Sequence, residues 1–289
     1  NYVDVGWNMR ALDSAKIDEA IQTAKSSDLA IVVVGEDSFR QHWKEKTCGE
    51  NRDRMDITLW GKQDYLVESI YKTGVPTIII LVNGRPLATR WIAENIPAII
   101  EAWEPGSMGG KAIAEIIFGK VNPSGKLPIT IPRHVGQIST VYNHKPSQFL
   151  HPYIDGEKTP LYPFGYGLSY TSFKYDQLKV NKADYHANEE IEVTVNVSNT
   201  GKRRGEEVVQ LYIRDDYSNT TRPVKELKRF QRILLEKGES KVVSFRLNKE
   251  DLSYYNHKAE YVLEPGTFTV MVGGSSLDKD LQKVKFNVK

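Results

Sequence analysis

The sequence predicts an α/β domain on a parallel sheet, in a three-layer sandwich arrangement, followed by an all-β sandwich. Two observations carry this. Up to about residue 160, continuous apolar runs alternate with amphipathic stretches, as strand–helix repeats of a buried parallel sheet do. From about residue 174 the rhythm becomes strict apolar/polar alternation in short segments, the mark of half-buried strands. A length of 289 residues accommodates two ordinary domains. The expected division is 1–160, a linker at 161–173, and 174–289.

The first helix is predicted over Ile17–Lys25, with Asp13 or Ser14 at its start. The run "LAIVVVGE" ends in Gly35 and reads as a strand buried on both faces. "GKQDYLVESIYKTG" follows as an amphipathic helix closed by Gly74, then "PTIIILVNG" as the second strand. "PLATRWIAEN" reads as a helix with Pro86 in its first turn, where a missing N–H costs nothing. "AIIEAW" is the third strand, "GGKAIAEIIFG" a helix closed by Gly119, and "GKLPITIP" a last short strand. Ligand-binding groups of such sheets lie beyond the carboxyl ends of the strands. Gly35-Glu36, Asn83-Gly84-Arg85 and Trp103-Glu104-Pro105-Gly106 fall there.

In the second half, "IEVTVNVSNTG", "EEVVQLYIRD", "KELKRFQRI", "SKVVSFRLN", "AEYVLEPGTFTVMVG" and "QKVKFNV" alternate, with turns such as Asn199-Thr200-Gly201 and Lys237-Gly238 between them. This describes a sandwich of about seven strands. The cysteine pair of an antibody domain is absent, which favours a fibronectin type III-like sandwich.

Composition narrows the function classes. Lysine and arginine number 39 against 37 aspartate and glutamate, a balance that gives no argument for nucleic acid or a membrane surface. No apolar run approaches the ~20 residues of a membrane span. The single cysteine, Cys48, forms no internal disulfide, and no Cys/His cluster has the spacing of a metal site. The turns "VNGRP" and "WEPGSMGG" match neither a phosphate loop nor a dinucleotide fingerprint, so no cofactor is expected. No G-x-S-x-G elbow is present, which argues against a serine hydrolase. The chain starts with Asn and is expected to be a mature or cut piece.

The candidate chemistry lies in residues 36–59, a connection too long to be a simple link. It holds Arg40, His42, Trp43, Glu45, Glu50, Arg52, Asp53 and Arg54. Glu50 has two readings, a general acid raised by burial or one charge of a solvated loop. Glu36 is expected either to orient a ligand or to accept backbone N–H groups of the next turn. His42 and Trp43 offer a wall for a sugar ring, or a packed aromatic under the loop. His134, His144 and His151 read as surface histidines.

The strings "VNGRPLA", "EAWEPGSMGGKAIAEIIFGKVNPSGKLPITIPR", "YPFGYGLSYTSF", "VSNTGKRRGEEVVQLYI" and "RPVKELKRFQRILLEKGES" follow in order. Together they resemble the C-terminal half of β-glucosidases of glycoside hydrolase family 3, over nearly the whole chain. The resemblance implies an α/β sandwich domain followed by a fibronectin type III-like domain. It implies retaining, exo-acting hydrolysis of terminal β-glucosyl residues through a covalent glycosyl-enzyme. Such chemistry uses two carboxyl groups. The nucleophile would be an aspartate on an N-terminal barrel that this chain lacks. The acid/base glutamate of relatives lies shortly before an R-x-D-I-x-L/I string, here Arg54-Met55-Asp56-Ile57-Thr58-Leu59, which points to Glu50.

"RQHWKEKTCG" looks like an extension of the loop and leaves Glu45 as a rival. On this reading His42, Trp43 and Arg54 contact substrate, and the partners are a β-linked oligosaccharide or glycoside and the barrel of the same enzyme. A homodimer stays open. Alone, the chain is expected to fold and to hydrolyse little, because Glu50 would stand in water without its nucleophile. β-Xylosidase, exo-glucanase and a non-catalytic carbohydrate-binding module are the alternatives. Enzymes of this type are often periplasmic or extracellular.

Overall fold

A computed structural model describes residues 1–6, 14–38, 44, 46–138, 140–146 and 153–289. The chain divides into two compact units, one of residues 1–117 with 131–138 and one of residues 118–130 with 139–289.

The first unit is α/β, as expected. Helix α1 (Ser14–Lys25), strand β1 (Ala30–Gly35), helix α2 (Gln63–Tyr71), strand β2 (Thr77–Val82), helix α3 (Arg90–Asn95), strand β3 (Ala98–Glu101) and helix α4 (Gly109–Ile117) follow one another. The sheet is parallel, in the order β1-β2-β3. Its register pairs Gly35 with Val82 and Leu81 with Glu101, so the carboxyl ends of the three strands finish side by side. Val34, Ile79, Leu81, Val67 and Ile92 pack into one core, and Ile17, Ala24, Leu66 and Ile70 into a second between α1 and α2.

Three details differ from the sequence reading. Strand β1 is not buried on both faces, since Ile31 and Val33 are exposed in this edge strand. Helix α3 begins at Arg90 rather than at Pro86. Residues before it turn aside: the N–H of Ala88 donates to the carbonyl of Ile57, which ties this segment to the long loop. "GKLPITIP" forms no strand beyond a bridge at Ile131. Pro128 and Pro132 remove ladder donors there. Leu127 instead exchanges backbone hydrogen bonds with Gly165 and Tyr166.

The second unit is a β-sandwich. One sheet joins β5 (Asp184–Tyr185), β13 (Gln282–Val288), β12 (Gly266–Gly273), β7 (Gly205–Asp215) and β8 (Glu226–Leu235) in that order. The other joins β4 (Phe173–Val180), β6 (Ile191–Asn199) and β9 (Ser240–Leu247). Every second residue of β6 is buried, and Ile191, Val193, Val195 and Val197 meet Val209, Leu211, Phe268 and Val270 of the facing sheet. The segment "AEYVLEPGTFTVMVG" splits at Glu264-Pro265. Its first part pairs as β11 (Tyr261–Val262) with β10 (Tyr254–Tyr255), and its second is β12. Helix α5 (Lys249–Leu252) starts on a capping box between Asn248 and Asp251.

The sequence strings that carry the family resemblance fasten residues 118–130 and 160–170 to this sandwich. Lys126 donates to Glu207 at 3.1 Å, and so does Tyr175 at 2.8 Å, with the Glu207 side chain 6% exposed. Gln210 donates to the carbonyl of Gly165 at 3.1 Å and to that of Gly274 at 2.7 Å. A Cβ on Gly165 would stand 2.1 Å from the Gln210 amide oxygen, and the φ there is +78°, so glycine is required twice over.

Candidate functional site

The long connection between β1 and α2 carries no strand or helix among its described residues. Its course is set by one buried carboxylate. Glu36 follows β1 directly, and its N–H donates to the carbonyl of Val82 at 2.8 Å. Its side chain is fully buried and meets two guanidinium groups: Arg54 Nη1 at 2.9 Å and Arg85 Nε at 3.1 Å. Neither expectation for Glu36 was this one. It accepts from two arginines distant in sequence rather than from the N–H groups of the next turn.

Each arginine then grips the loop. Arg85 donates to the carbonyl of Arg52 at 2.7 Å and to that of Thr47 at 3.3 Å. Arg54 donates to the carbonyl of Thr58 at 2.8 Å and lies over the Trp60 ring at 4.8 Å. Charge-assisted bonds of this kind are about twice as strong as neutral ones. A second fastening joins strand and loop directly. The N–H groups of Thr47 and Cys48 donate to the carbonyl of Asp37, and the Thr47 hydroxyl accepts from the N–H of Asp37 at 2.8 Å.

Glu50 stands on the loop between these anchors, exposed to solvent. It is the middle residue of a tight left-handed bend, with φ +88° at Gly49 and +59° at Asn51. The buried Lys46 donates its ammonium to the Glu50 carbonyl at 2.6 Å. Backbone and side chain therefore have opposite fates: the main chain of Glu50 is held, and its carboxylate projects outward.

The other strand ends add polar groups to the same edge. Asn83 is fully buried, donates to the carbonyl of Arg85 at 2.8 Å, and contacts Glu101 at 3.5 Å. Glu101 accepts the N–H of Trp103 at 3.1 Å. Burial raises its pKa from 4.5 to about 7, against the lowering effect of these bonds. Cys48 is buried, its thiol directed at Glu104 at 3.8 Å. Burial first, then the carboxylates of Glu36 and Glu104, push that thiol up to about 11.

The structure thus brings Arg54 and Glu50 onto one clamped loop, with Arg54 inside it and Glu50 outside. At 7% exposure, the Arg54 side chain holds Glu36 and the loop backbone. His42, Trp43 and Glu45 lie outside the described residues, as do Arg40 and His151. His134 is exposed, as expected of a surface histidine, and His144 is half-buried. Sequence reasoning placed Arg85 and Asn83 at the sheet edge without a role. Arg85 lies three residues past β2 and its partner Glu36 is 49 positions away, so no local signal marked the pairing. Among the described residues, no group of three or more His, Cys, Asp or Glu could hold a metal ion.

Comparison with known proteins gives the following. The family model described as "Glycosyl hydrolase family 3 C-terminal domain" matches residues 5–170, and one described as "Fibronectin type III-like domain" matches residues 207–276. A β-xylosidase of Formosa agariphila is 47% identical over 288 residues, covering 98% of this chain and 39% of its own length. A periplasmic β-glucosidase of Salmonella typhimurium is 42% identical over 272 residues, covering 91% of this chain and 35% of its own. Among solved structures, a β-glucosidase from Erythrobacter marinus superposes with a TM-score of 0.89 at 41% identity, over 99% of this chain and 38% of that one. The β-glucosidase of Listeria innocua in complex with glucose gives 0.89 at 33% identity, over 97% and 39%. The chain therefore spans less than two fifths of the length of these relatives.

Proposed function

The chain belongs to glycosyl hydrolase family 3, and from that premise we propose that it is the acid/base-bearing portion of a retaining, exo-acting β-glucosidase, with Glu50 as the general acid/base. One observation carries the assignment. Glu50 is an exposed carboxylate on a loop whose backbone is fixed on both sides by Arg85, at the carbonyls of Thr47 and Arg52, and at its own carbonyl by Lys46. A group that must reach a substrate oxygen needs a free side chain on an immobile main chain.

The chemistry has two steps. The Glu50 carboxyl gives its proton to the glycosidic oxygen as the nucleophile attacks the anomeric carbon, and the aglycone leaves as an alcohol. The resulting Glu50 carboxylate takes a proton from water as that water attacks the same carbon and releases the nucleophile. Retention places the two carboxyl groups ~5–5.5 Å apart. The nucleophile, on this reading, is an aspartate of an N-terminal barrel of the same enzyme, outside this chain. The barrel would also hold most of the terminal sugar. This chain would shape the leaving-group side, with His42 and Trp43 as a wall against the sugar. Arg54 serves that side by fixing the loop through Glu36. We place the enzyme in the periplasm or outside the cell. In support, the Salmonella relative is named periplasmic, and among the described residues no helix is long and apolar enough to cross a membrane.

A second reading has its own observation. The Formosa relative, at 47% identity, is named a β-xylosidase. Both are tested by joining this chain to whatever its gene encodes upstream and assaying aryl β-glucosides and β-xylosides. The expected result is turnover in the longer protein and little in this chain alone, with the glucoside preferred. Glu50→Gln should lower turnover of a poor leaving group by ~10²–10⁴-fold. A dinitrophenyl leaving group, which departs without a proton, should escape that loss in the first step. Full activity in Glu50→Gln, or the same loss in Glu45→Gln instead, would overturn the assignment. Preference for the xyloside would replace β-glucosidase with β-xylosidase and leave the role of Glu50 intact.

A further inference from the structure

The sandwich has a cavity of its own, of about 570 Å³, within the volume range of small-ligand sites. It lies over the face of the five-stranded sheet that points away from the sandwich core. Strand register builds its floor. Thr269 pairs with Arg214 on one side and Lys285 on the other, and Met271 pairs with Tyr212 and Lys283. Residues two apart on a strand share a face. Arg214, Thr269 and Lys285 therefore form one row, and Met271 and Lys283 lie in the next, with Met271 buried beneath.

Charge distinguishes this cavity. Four cationic side chains line it, Arg214, Lys225, Lys283 and Lys285, against two carboxylates, Asp216 and Asp278. The carboxylates are shared out. Asp216 accepts from Lys285 at 2.9 Å and from Thr269 at 2.9 Å, with Arg214 at 3.7 Å. Asp278 accepts from Lys225 at 3.0 Å and from Lys283 at 3.1 Å through one oxygen. Lys225 is 6% exposed and also donates to the carbonyl of Ser276 at 2.8 Å. Burial depresses its pKa and Asp278 opposes this, while Lys283 and Arg214 add to the depression. Cations thus crowd here beyond the local supply of carboxylate. At the rim, Tyr217 also lines the cavity and is 82% exposed.

We propose that this cavity is a second carbohydrate site, which binds a saccharide bearing a carboxylate, such as a uronic acid residue. The sugar carboxylate would lie between Arg214 and Lys283, the two half-exposed cations of adjacent rows. Its hydroxyls would meet Thr269 and the acceptor oxygens of Asp216, and a C–H face of its ring would lie on Tyr217. The volume and the aromatic rim argue for a sugar rather than a bare inorganic anion. This inference is independent of the role of Glu50, and its test reads binding alone.

The experiment is calorimetric titration of this chain, at matched ionic strength, with a β-linked disaccharide ending in glucuronic acid, with cellobiose, and with sodium sulfate. The charged disaccharide should bind about tenfold or more tightly than cellobiose, since charge-assisted hydrogen bonds exceed neutral ones by that order. Sulfate at equal concentration should not displace it. The double variant Arg214→Ala/Lys283→Ala should lose the binding with its unfolding midpoint unchanged. If the double variant does not fold, Lys283→Met alone should weaken binding severalfold. Equal binding of the two disaccharides, equal competition by sulfate, absence of binding, or undiminished binding by a folded variant would each overturn the proposal.

Discussion

The described part of the loop that bears Glu50 and the interior of the sandwich are both tied down, for opposite reasons. The sandwich is held by apolar residues that alternate along strands, and they pack into one shared cluster. The loop is held by one buried carboxylate and two guanidinium groups, reached from three separate stretches of chain. Apolar packing is redundant and tolerant. A buried ion cluster is neither, because the loss of one member leaves the others charged, desolvated and unpaired. A rigid loop that must keep its outer surface polar can be fixed in this second way and hardly in the first.

The contrast breaks most sharply at Glu36. Glu36→Gln would leave two arginines facing a neutral amide in a buried site. It should cost ~3–5 kcal/mol in urea-induced unfolding of the first unit, a range known for buried pairs that lose one partner. If the loss were under 1 kcal/mol, the clamp would not be what holds the loop. In the sandwich, Leu211→Ala removes a fully buried side chain and should cost ~2–5 kcal/mol, with no effect on the loop. Hydrogen exchange should show the loop opening in the first variant and not in the second.

A different effect concerns pH. The Glu101 carboxyl titrates near 4.5 when unfolded and near 7 when folded, because burial disfavours its charge. Between these values the folded state binds more protons, so stability falls as pH rises through that window. Urea unfolding of Glu101→Gln should lack this portion of the slope. The smallest effect belongs to Glu50. As an exposed side chain, its replacement by Gln should change stability by no more than ~0.5 kcal/mol. Loss of activity with retained stability would separate the residue that acts from the residues that hold it.

The same contrast explains what could be read in advance. "LAIVVVGE" announces its strand as a continuous apolar run, and "IEVTVNVSNTG" through the period that one-sided burial imposes on sequence. The β1–α2 loop has no period, and the pairing of Glu36 with Arg54 and Arg85 spans 18 and 49 positions, so nothing local marks it. Motif likeness pointed to Glu50, but its anchors needed coordinates. Helix α3 shows the middle case: Pro86 is a fair start signal, yet the tertiary bond from Ala88 to Ile57 delays the helix to Arg90. The specific strings around Lys126 and Gly165 are legible as a family mark, and their physical reason, a buried Glu207 and a glycine pressed on Gln210, appears only when packed.

Cys48 carries a practical consequence. A thiol reacts as its thiolate, and this one is buried and pushed up to about 11, so at neutral pH maleimide reagents should pass it by. The chain is in effect a cysteine-free background. A thiol introduced at exposed Asn51, beside Glu50, would be the sole fast-labelling position, and a spectroscopic probe attached there would report directly on whether the loop shifts when a sugar is added.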